Sequence, residues 1–372
     1  MVYPDMEFKE NVIGIKLGSR WSVGYGYGID DLDKNTGTYG PRTELTCLRP
    51  VPRDIVKGGT DWEYSRKASN YSNVIYPIEY GLPKEGEGAT LKSSLTNIAR
   101  FVRWLTKDVE EETGMVFALP MMKYERGLSA FKKVLNGLDK GRLGKAYIVE
   151  AFAAAIGVCG IQPILQDISL IFNFGSSTTE LALYENGKLV QQNVFDKGGT
   201  SLDMELAEAI KQEYRGVTCT NRQAQAVKEQ YNYIENNDIA GKFTKKGAIH
   251  DETIKGDTIK PIIDRFAAEI SSEVVGNFLP QANKVNPTVV SALQAEGVGH
   301  LVICGGLSDL PGFSQVMFES LTNSGGISPD IKLRHPDGEP GGVAAPAFGA
   351  YQLANLLEAD RLERDAKEWK EF

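Results

Sequence analysis

Short apolar runs and amphipathic segments follow one another along the first half of the chain. Apolar runs at 11–17 and 21–27 meet at a polar turn, which predicts a β-hairpin. Residues 90–112 carry apolar side chains at a spacing of three and four positions, which predicts a helix. Residues 28–75 are polar and interrupted by proline and glycine, so they predict loops or a small inserted subdomain. The other elements predicted before residue 161 are a strand at 115–120, a helix ending near 137, a strand at 146–150 and a helix of small residues at 150–160.

The second half shows the same succession. A buried strand at 168–174 precedes an alternating run, and Asn186-Gly187 predicts a two-residue hairpin turn after that run. A helix follows the Gly198-Gly199 turn, with Thr200 or Ser201 as its cap. The other predicted elements are an exposed hairpin at 242–255, a long helix at 259–280, a strand at 300–306, a helix at 311–323 and a solvated terminal helix at 351–372. Strands that alternate with helices in this way predict an α/β fold.

Two stretches of the chain have the same shape, namely NVIGIKLGSRWSVGY at 11–25 and ISLIFNFGSSTTELA at 168–182. Gly18-Ser19 matches Gly175-Ser176, and Lys16 matches Asn173. A strand that ends in such a turn exposes several backbone N–H groups at one point, and glycine allows close approach, so the turn can cradle phosphate oxygens. Single Gly-Ser hairpin turns are common, but two matched turns predict two similar half-molecules that each offer a phosphate-binding turn.

A third glycine turn, ICGGLSDLPGF at 303–313, follows a buried strand and precedes a helix. Backbone exposed in such a turn suits a nucleotide base or ribose. An ordinary strand-to-helix connection explains the turn equally well when it is taken alone.

Composition narrows the class of protein. The length of 372 residues favours two domains. A net charge of −8 gives no basic field to hold nucleic acid directly. The four cysteines are scattered and only three histidines are present, which argues against a zinc site or disulfide scaffold and predicts a cytoplasmic protein. Because no run approaches about 18 apolar residues, we expect no intrinsic membrane insertion.

These motifs together resemble the actin-like ATPase superfamily, which also holds heat-shock chaperones and sugar kinases. Within it, the bacterial actins MreB and MamK are the most similar. The resemblance covers about 12–355. The matching segments, in chain order, are IGIKLGSRWSVG, YPIEYGL, EAFAAAIG, IFNFGSSTTELAL, KGGTSLDMEL, AVKEQYNYI, VICGGLSDLPGF and GVAAPAFGAYQLA.

The resemblance implies two related α/β domains, each with a mixed sheet flanked by helices, around a central cleft that holds ATP or ADP. Domain I would comprise 1–165 and 340–372, with 31–75 as a small subdomain. Domain II would comprise 166–339, with 204–264 as its small subdomain. Subunits of the family stack head-to-tail into filaments, which are heterologous and non-closing assemblies. The expected partners are further copies of the chain and a cargo or adaptor protein.

The motif match also implies roles for single residues. Glu150 matches the acidic residue that positions the attacking water, and Asp203 follows the double glycine, where a first-turn helix carboxylate is an equally good explanation. Lys228 and Glu229 would lie by the adenine and ribose. The turn residues expected at the phosphates and adenosine are Gly18, Ser19, Gly175, Ser176, Ser177, Thr178, Gly199, Gly305, Gly306 and Leu307.

The chain departs from the family at two positions, because Lys16 and Asn173 stand where the family has aspartates. Those aspartates hold, through water, the Mg²⁺ that bridges the phosphates. Three interpretations stay open: Lys16 replaces part of the metal's charge, the chain has lost nucleotide, or Lys16 reaches out to solvent and does nothing. Arg20 either binds phosphate or lies on the surface, and the bulky Trp21 narrows the phosphate pocket.

The sequence therefore predicts an actin-like cytoskeletal protein that binds ATP and polymerises, with weak or Mg²⁺-independent hydrolysis. A degenerate, non-hydrolysing scaffold is the alternative, and a metabolic kinase of the same superfamily is a weaker one. Residues 31–75 and 236–257 are the candidates for filament contacts, by their position in the family's fold.

Overall fold

The structure, a computed structural model, describes residues 12–26, 31–32, 39–40, 42–52, 60–69, 73–79, 82–85, 90–110, 113–121, 125–138, 144–245, 247–337 and 341–364. Parts of several predicted elements lie outside these ranges: residues 11 and 27 of the first hairpin, stretches of the polar segment 28–75, the last two residues of the helix predicted at 90–112, residue 246 of the hairpin predicted at 242–255, and residues 365–372 of the terminal helix.

Strands and short helices form the first part of the described chain. Its strands are β1 (Val12–Leu17), β2 (Trp21–Gly26), β3 (Asp31–Leu32), β4 (Tyr39–Gly40), β5 (Arg42–Leu45), β6 (Leu48–Pro52), β7 (Thr60–Tyr64), β8 (Ile78–Glu79), β9 (Leu82–Pro83), β10 (Gly114–Leu119) and β11 (Gly144–Val149). Its helices are α1 (Ser65–Ser69), α2 (Leu91–Leu105), α3 (Glu125–Asn136) and α4 (Glu150–Cys159).

Longer helices enter in the second part. Its strands are β12 (Ile168–Phe174), β13 (Thr179–Glu185), β14 (Lys188–Phe195), β15 (Val217–Thr218), β16 (Ile239–Lys245), β17 (Ala248–Ile254), β18 (His300–Gly305) and β19 (Lys332–Arg334). Its helices are α5 (Ile161–Gln166), α6 (Gly199–Glu213), α7 (Asn221–Lys228), α8 (Gly256–Glu273), α9 (Leu279–Val285), α10 (Pro287–Ser291), α11 (Phe313–Asn323) and the closing helix α12 (Ala345–Arg364). Two π-helical turns, Val274–Phe278 and Ala292–Glu296, follow α8 and α10.

The chain divides into two compact units, which we call unit 1 (1–161 and 337–372) and unit 2 (162–336). The main sheet of unit 1 has the strand order β11-β10-β1-β2-β5. Strands β1, β10 and β11 run parallel, whereas β2 and β5 are antiparallel to their neighbours. Unit 1 is therefore a mixed sheet with helices on it.

The central strand β1 is buried along its whole length. Ile13, Ile15 and Leu17 belong to the apolar core that α2 and α3 complete. Side chains alternate between the faces of a strand, so Gly14 and Lys16 share the other face. There Gly14 meets α12, since a Cβ built on Gly14 would lie 2.1 Å from the carbonyl oxygen of Ala347.

Helices α4 and α12 cross each other at very short range in unit 1. A Cβ built on Gly349 would lie 1.8 Å from the carbonyl oxygen of Ala153, and one built on Gly157 would lie 2.1 Å from that of Ala345. Only residues without a Cβ allow backbones to approach this closely. This crossing joins the closing helix to the segment that begins with Glu150.

Unit 2 repeats the sheet of unit 1. Its strand order is β14-β13-β12-β18-β19, with an antiparallel hairpin on one side of β12 and parallel strands on the other. The same topology surrounds β1, so the two similar half-molecules predicted from the repeated stretches are confirmed. Phe174, Phe266 and Phe313 pack together in its core. The mixed α/β class predicted from the sequence is confirmed as well.

Of three local predictions, a hairpin turn is confirmed, and a helix cap and the start of the terminal helix are wrong. The Asn186-Gly187 hairpin turn is confirmed, with both residues at positive φ. The N-cap of α6 is Gly198 rather than Thr200 or Ser201, because both hydroxyl residues already lie inside the helix, where the Ser201 hydroxyl accepts from the Gly198 N–H. The predicted solvated helix at 351–372 is wrong for its first turn, since Tyr351 to Ala354 are buried.

The loops predicted for the polar segment 28–75 are wrong where the structure describes it, whereas the alternative, a small inserted subdomain, stays a prediction. Its described parts contain β5, β6, β7 and α1, and Leu48 and Ala68 are fully buried. Hydrogen bonding between short antiparallel strands overrides the weak local signal of a polar, proline-containing sequence.

Among the described residues, no helix is long and apolar enough to cross a membrane.

Candidate functional site

The first glycine turn connects β1 to β2 in unit 1. Gly18 is buried, and a Cβ built on it would lie 2.7 Å from the carbonyl oxygen of Trp21, so the turn requires glycine. Ser19, Arg20 and Trp21 are half-buried. The Nε atom of Arg20 is buried and has no hydrogen-bond partner among the described residues. The turn thus holds a guanidinium donor whose hydrogen-bonding capacity the described protein does not use.

Lys16 lies beside this turn rather than in solvent. Its residue is only 7% exposed, and its Nζ would be 3.3 Å from a Cβ built on Gly18. The interpretation in which Lys16 reaches out to solvent is therefore wrong. Lys16 lies on the same face of β1 as Gly14. Its side chain therefore points to the side of the sheet where α4 and α12 pack.

Lys16 forms an ion pair with the carboxylate that the family resemblance singles out. The Lys16 Nζ lies 3.5 Å from Oε1 of Glu150, and both side chains are more than nine-tenths buried. Glu150 is the first residue of α4, where the helix dipole favours a negative charge. The structure thus joins two residues that are far apart in the sequence.

The second glycine turn connects β12 to β13 in unit 2. The Gly175 N–H donates to the Thr178 carbonyl at 2.8 Å, which closes the turn. The residues between them, Ser176 and Ser177, are half-buried, as the two ends of the turn are. Asn173, at the lysine-equivalent position, is 2% exposed and donates to Glu180 Oε2 at 3.1 Å.

Glu180 is a buried acidic residue that the sequence analysis missed. It stands directly opposite Asn173 in the hairpin register, and it is 3% exposed. Burial, with the Glu180 carboxylate adding to it, raises the pKa of nearby Tyr184 above its ordinary value, so that hydroxyl stays neutral. The signal that could have found Glu180 is the register of the hairpin, which the predicted turn sets.

The Gly198-Gly199 turn packs directly on the second glycine turn. The Gly199 N–H donates to the Gly175 carbonyl at 3.0 Å, and the Thr200 N–H donates to the Ser176 carbonyl at 2.7 Å. A Cβ built on Gly198 would lie 2.6 Å from the Gly175 carbonyl oxygen. The double glycine is therefore needed for the start of α6 to reach the turn.

A buried ion pair holds the Gly198-Gly199 turn in place. The Lys228 Nζ lies 2.6 Å from Asp203 Oδ1 and donates to the Gly199 carbonyl at 3.0 Å. Both side chains are more than nine-tenths buried. Asp203 is thus more than a helix first-turn carboxylate, because it neutralises the lysine that holds the glycine turn.

The third glycine turn begins at Gly305, the last residue of β18. Gly305 has φ +87°, and a Cβ built on it would lie 2.4 Å from the Phe174 carbonyl oxygen, so two constraints require glycine there. Leu307 is buried and comes within 3.6 Å of a Cβ built on Gly199, whereas Gly306 is exposed. The turn therefore lies next to the other two glycine turns of unit 2.

Unit 2 brings most of its predicted site residues together around Gly199, which meets Gly175, Lys228 and Leu307. Glu229 is the exception, because its side chain is exposed and accepts a hydrogen bond from Gln225 on the same helix. Chemically, unit 2 gathers the hydroxyls of the second glycine turn and the fixed Lys228 at one end of its sheet, and its turns are held by their own backbone hydrogen bonds. That combination suits a phosphorylated ligand.

The Mg²⁺ implied by the family does not fit the residues at these positions. Lys16 brings a positive charge that repels a cation, and Asn173 brings no charge and is bonded to Glu180. Within the described ranges, no group of three or more His, Cys, Asp or Glu side chains could hold a metal ion.

Comparison with known proteins gives the following matches. A sequence model of the Salactin family matches residues 10–358. The chain is similar to MreB 5 of Spiroplasma citri bound to AMPPNP (TM-score 0.69, 15% identity, covering 96% of this chain and 99% of that one). It is also similar to a MamK double helical filament (TM-score 0.68, 17% identity, 92% and 98% covered) and to MreB5 of Spiroplasma citri bound to ADP (TM-score 0.67, 16% identity, 96% and 100% covered). No curated protein matches the sequence significantly. The structural likeness confirms the predicted resemblance to bacterial actins at the level of the fold.

Proposed function

The chain belongs to the salactin family and has an actin-like fold, and we propose that it is a cytoskeletal protein that binds ATP and assembles head-to-tail into filaments. The observation that carries this proposal is the convergence of three glycine turns and the Lys228–Asp203 pair in unit 2. We further propose that 1–165 with 340–372 and 166–339 act as the two functional domains, with 31–75 and 204–264 as their small subdomains.

The proposed nucleotide is ATP, which would exchange with ADP. The Gly18-Ser19 turn of unit 1 and the turn from Gly175 to Thr178 of unit 2 are each proposed to bind phosphate. Lys228, with Glu229 beside it, and the turn at Gly305 to Leu307 would hold the nucleoside. The solved MreB5 relatives were obtained bound to AMPPNP and to ADP, which supports a nucleotide of this kind.

The proposed assembly is a polymer of this chain, supported by the similarity to MamK, which was solved as a double helical filament. The hairpin of β16 and β17 offers a candidate contact, because the β17 side chains are mostly exposed and Ile249 is 73% exposed. Exposed apolar residues on a strand edge favour pairing with another chain. A cargo or adaptor protein remains a proposed further partner. No two of the four cysteines are joined in a disulfide, which supports the proposed cytoplasmic location.

A non-hydrolysing scaffold is the second candidate function, and the Lys16–Glu150 pair favours it. Glu150 is the carboxylate expected to position the attacking water. It is paired instead with Lys16, which stands where the family has an aspartate. Such a protein would assemble or recruit partners without a nucleotide cycle.

Light scattering of the pure full-length protein separates the two functions. We expect scattering to rise after addition of ATP or AMPPNP and to stay at baseline without nucleotide, because the bound phosphates complete the glycine turns. Pelleting of the same samples checks that the scattering particles are filaments. Assembly that ignores nucleotide would support the scaffold instead, and absence of assembly in every condition would contradict the polymer.

Gly198→Ala tests the contact between the two turns of unit 2. The added Cβ would lie 2.6 Å from the Gly175 carbonyl oxygen and 2.9 Å from that of Ser176, so the turns must separate. Such overpacking costs about 1–3 kcal/mol, which corresponds to roughly tenfold weaker ATP binding. Calorimetric titration with AMPPNP measures the change.

The matched control for this variant is Gly276→Ala. No atom lies within 4 Å of a Cβ built on Gly276, which is also in unit 2. This variant should bind AMPPNP as the unchanged protein does. Equal affinity in the Gly198 and Gly276 variants would show that the Gly198 contact does not shape a nucleotide site.

A further inference from the structure

We propose that Lys16, held by Glu150, acts as a built-in cation, so that this chain binds ATP without a divalent metal ion and hydrolyses it slowly. The inference rests on the proposed function and concerns the first glycine turn of unit 1. The ligand is the free polyphosphate of ATP rather than its magnesium complex.

Lys16 has more hydrogen-bond donors than the described protein uses. An ammonium group has three N–H donors, and the Lys16 side chain is more than nine-tenths buried. Among the described residues its one charged partner is Glu150, at 3.5 Å, and no hydrogen bond donated by Nζ is found. The Lys16 ammonium therefore holds N–H donors that the described protein does not use. An anion with several oxygens at this turn would accept hydrogen bonds from them.

Arg20 is a second cationic side chain with an unused donor. Its buried Nε has no hydrogen-bond partner in the described part of the chain, and it lies in the same turn. Guanidinium groups are weakly hydrated and match phosphate oxygens in shape. Two cationic side chains with unused donors therefore flank Gly18 in this turn.

Charge decides between free and metal-bound phosphate. An aspartate at position 16, as in the family, makes the turn negative and requires a divalent cation before phosphate can approach. Lys16 changes that position by two units of charge, from −1 to +1. Like charges only a few ångströms apart repel each other strongly near a protein surface. A divalent cation beside Lys16 is therefore disfavoured, and free ATP is favoured.

The same ion pair restrains hydrolysis. Water attack on the terminal phosphate needs an acceptor that orients the water, and Glu150 is the residue that the motif match assigns to this role. Its Oε1 faces the ammonium of Lys16, a side chain that is more than nine-tenths buried. Lys16 is in this sense a positioning residue that keeps the carboxylate occupied.

The test measures AMPPNP affinity of the full chain by calorimetry, with a chelator and with excess Mg²⁺. For the unchanged protein we expect dissociation constants that agree within about threefold in the two conditions, a difference below 1 kcal/mol. Lys16→Asp should bind at least about 100-fold more weakly in chelator and should recover with Mg²⁺. Lys16→Met, which keeps the side-chain volume, should lose about tenfold in chelator and recover little with Mg²⁺.

The control Lys67→Asp makes the same change in charge on α1 of the same unit, where the Lys67 side chain is 75% exposed. Its AMPPNP affinity should equal that of the unchanged protein in both conditions. Circular dichroism establishes that each variant is folded, and the methionine variant keeps the test valid if the aspartate variant unfolds.

Phosphate release from ATP provides the second readout. We expect release to be near zero in the unchanged protein and to increase at least about tenfold in Lys16→Asp with Mg²⁺, because Glu150 is freed and a metal can bind. Continued near-zero release from a folded variant that binds AMPPNP with Mg²⁺ would overturn the restraint on Glu150.

The outcomes separate this inference from the proposed function. Binding to the unchanged protein that is lost on chelation overturns the built-in cation and leaves the ATP-binding filament standing. Absence of AMPPNP binding in both conditions overturns both. Equal binding in both conditions, with a Mg²⁺ requirement created by Lys16→Asp, supports both.

Discussion

Replacing Gly349 with alanine is expected to destabilise unit 1 by about 3–4 kcal/mol and to lower its melting temperature by about 10 °C. The added Cβ would lie 1.8 Å from the Ala153 carbonyl oxygen and 2.8 Å from the Gly157 nitrogen. Both atoms are helix backbone, so α4 and α12 must move apart. The higher helix propensity of alanine, about 1 kcal/mol, offsets only part of this cost. Thermal unfolding followed by circular dichroism measures the shift.

Gly137→Ala is the control for this experiment. It lies in the same unit, and a Cβ built on it would be 3.4 Å from its nearest neighbour, the Val134 carbonyl oxygen. We expect a change in melting temperature of no more than about 2 °C. If both variants melt alike, the close crossing of α4 and α12 contributes less to stability than its geometry indicates.

Lys228→Met is expected to destabilise unit 2 by about 3–5 kcal/mol and to abolish measurable ATP binding. The substitution leaves Asp203, which is 4% exposed, without its cationic partner. It also removes the donor that holds the Gly199 carbonyl, so the start of α6 loses its fixed position against the phosphate turn. Urea unfolding and AMPPNP titration report the two effects separately.

Lys245→Met makes the matched change in charge at an accessible ion pair of unit 2. Lys245 pairs with Glu252 at 2.8 Å, and its side chain is 36% exposed, so we expect a loss of about 1 kcal/mol or less. The double variant Lys228→Met with Asp203→Asn should regain part of the stability, because it no longer buries an unpaired charge. It should not regain ATP binding. Full recovery of binding would remove Lys228 from the site.

The fold was predictable because its signals are local. Apolar runs of strand length, helical spacing and the Asn186-Gly187 turn each depend on a few neighbouring residues, and each predicted element has a counterpart in the structure. The errors arose where contacts override local preference. The start of the terminal helix was predicted as solvated, yet Tyr25 packs against both Tyr351 and Phe348. The strands within 42–64 have little sequence signal of their own.

The candidate site was predictable in its positions but not in its contacts. The repeated Gly-Ser turns marked Lys16 and Asn173 as equivalent, and the motif order marked Glu150, Asp203 and Lys228. Local patterns cannot reveal which of these meet, since each pair joins elements that are separated in the sequence. Glu180 was missed because its partner follows from the hairpin register rather than from a motif.

The sequence by itself determined two related α/β halves, three glycine turns and the replacement of an expected aspartate by Lys16. Only the tertiary structure decided that Lys16 faces Glu150, that Lys228 joins Asp203 to the Gly199 turn, and that α4 and α12 cross at backbone contact. The physical reason is that hydrophobic periodicity and turn preference are properties of neighbouring residues. The partner of a buried charge, and the need for glycine at a crossing, are set by whichever distant segment packs there.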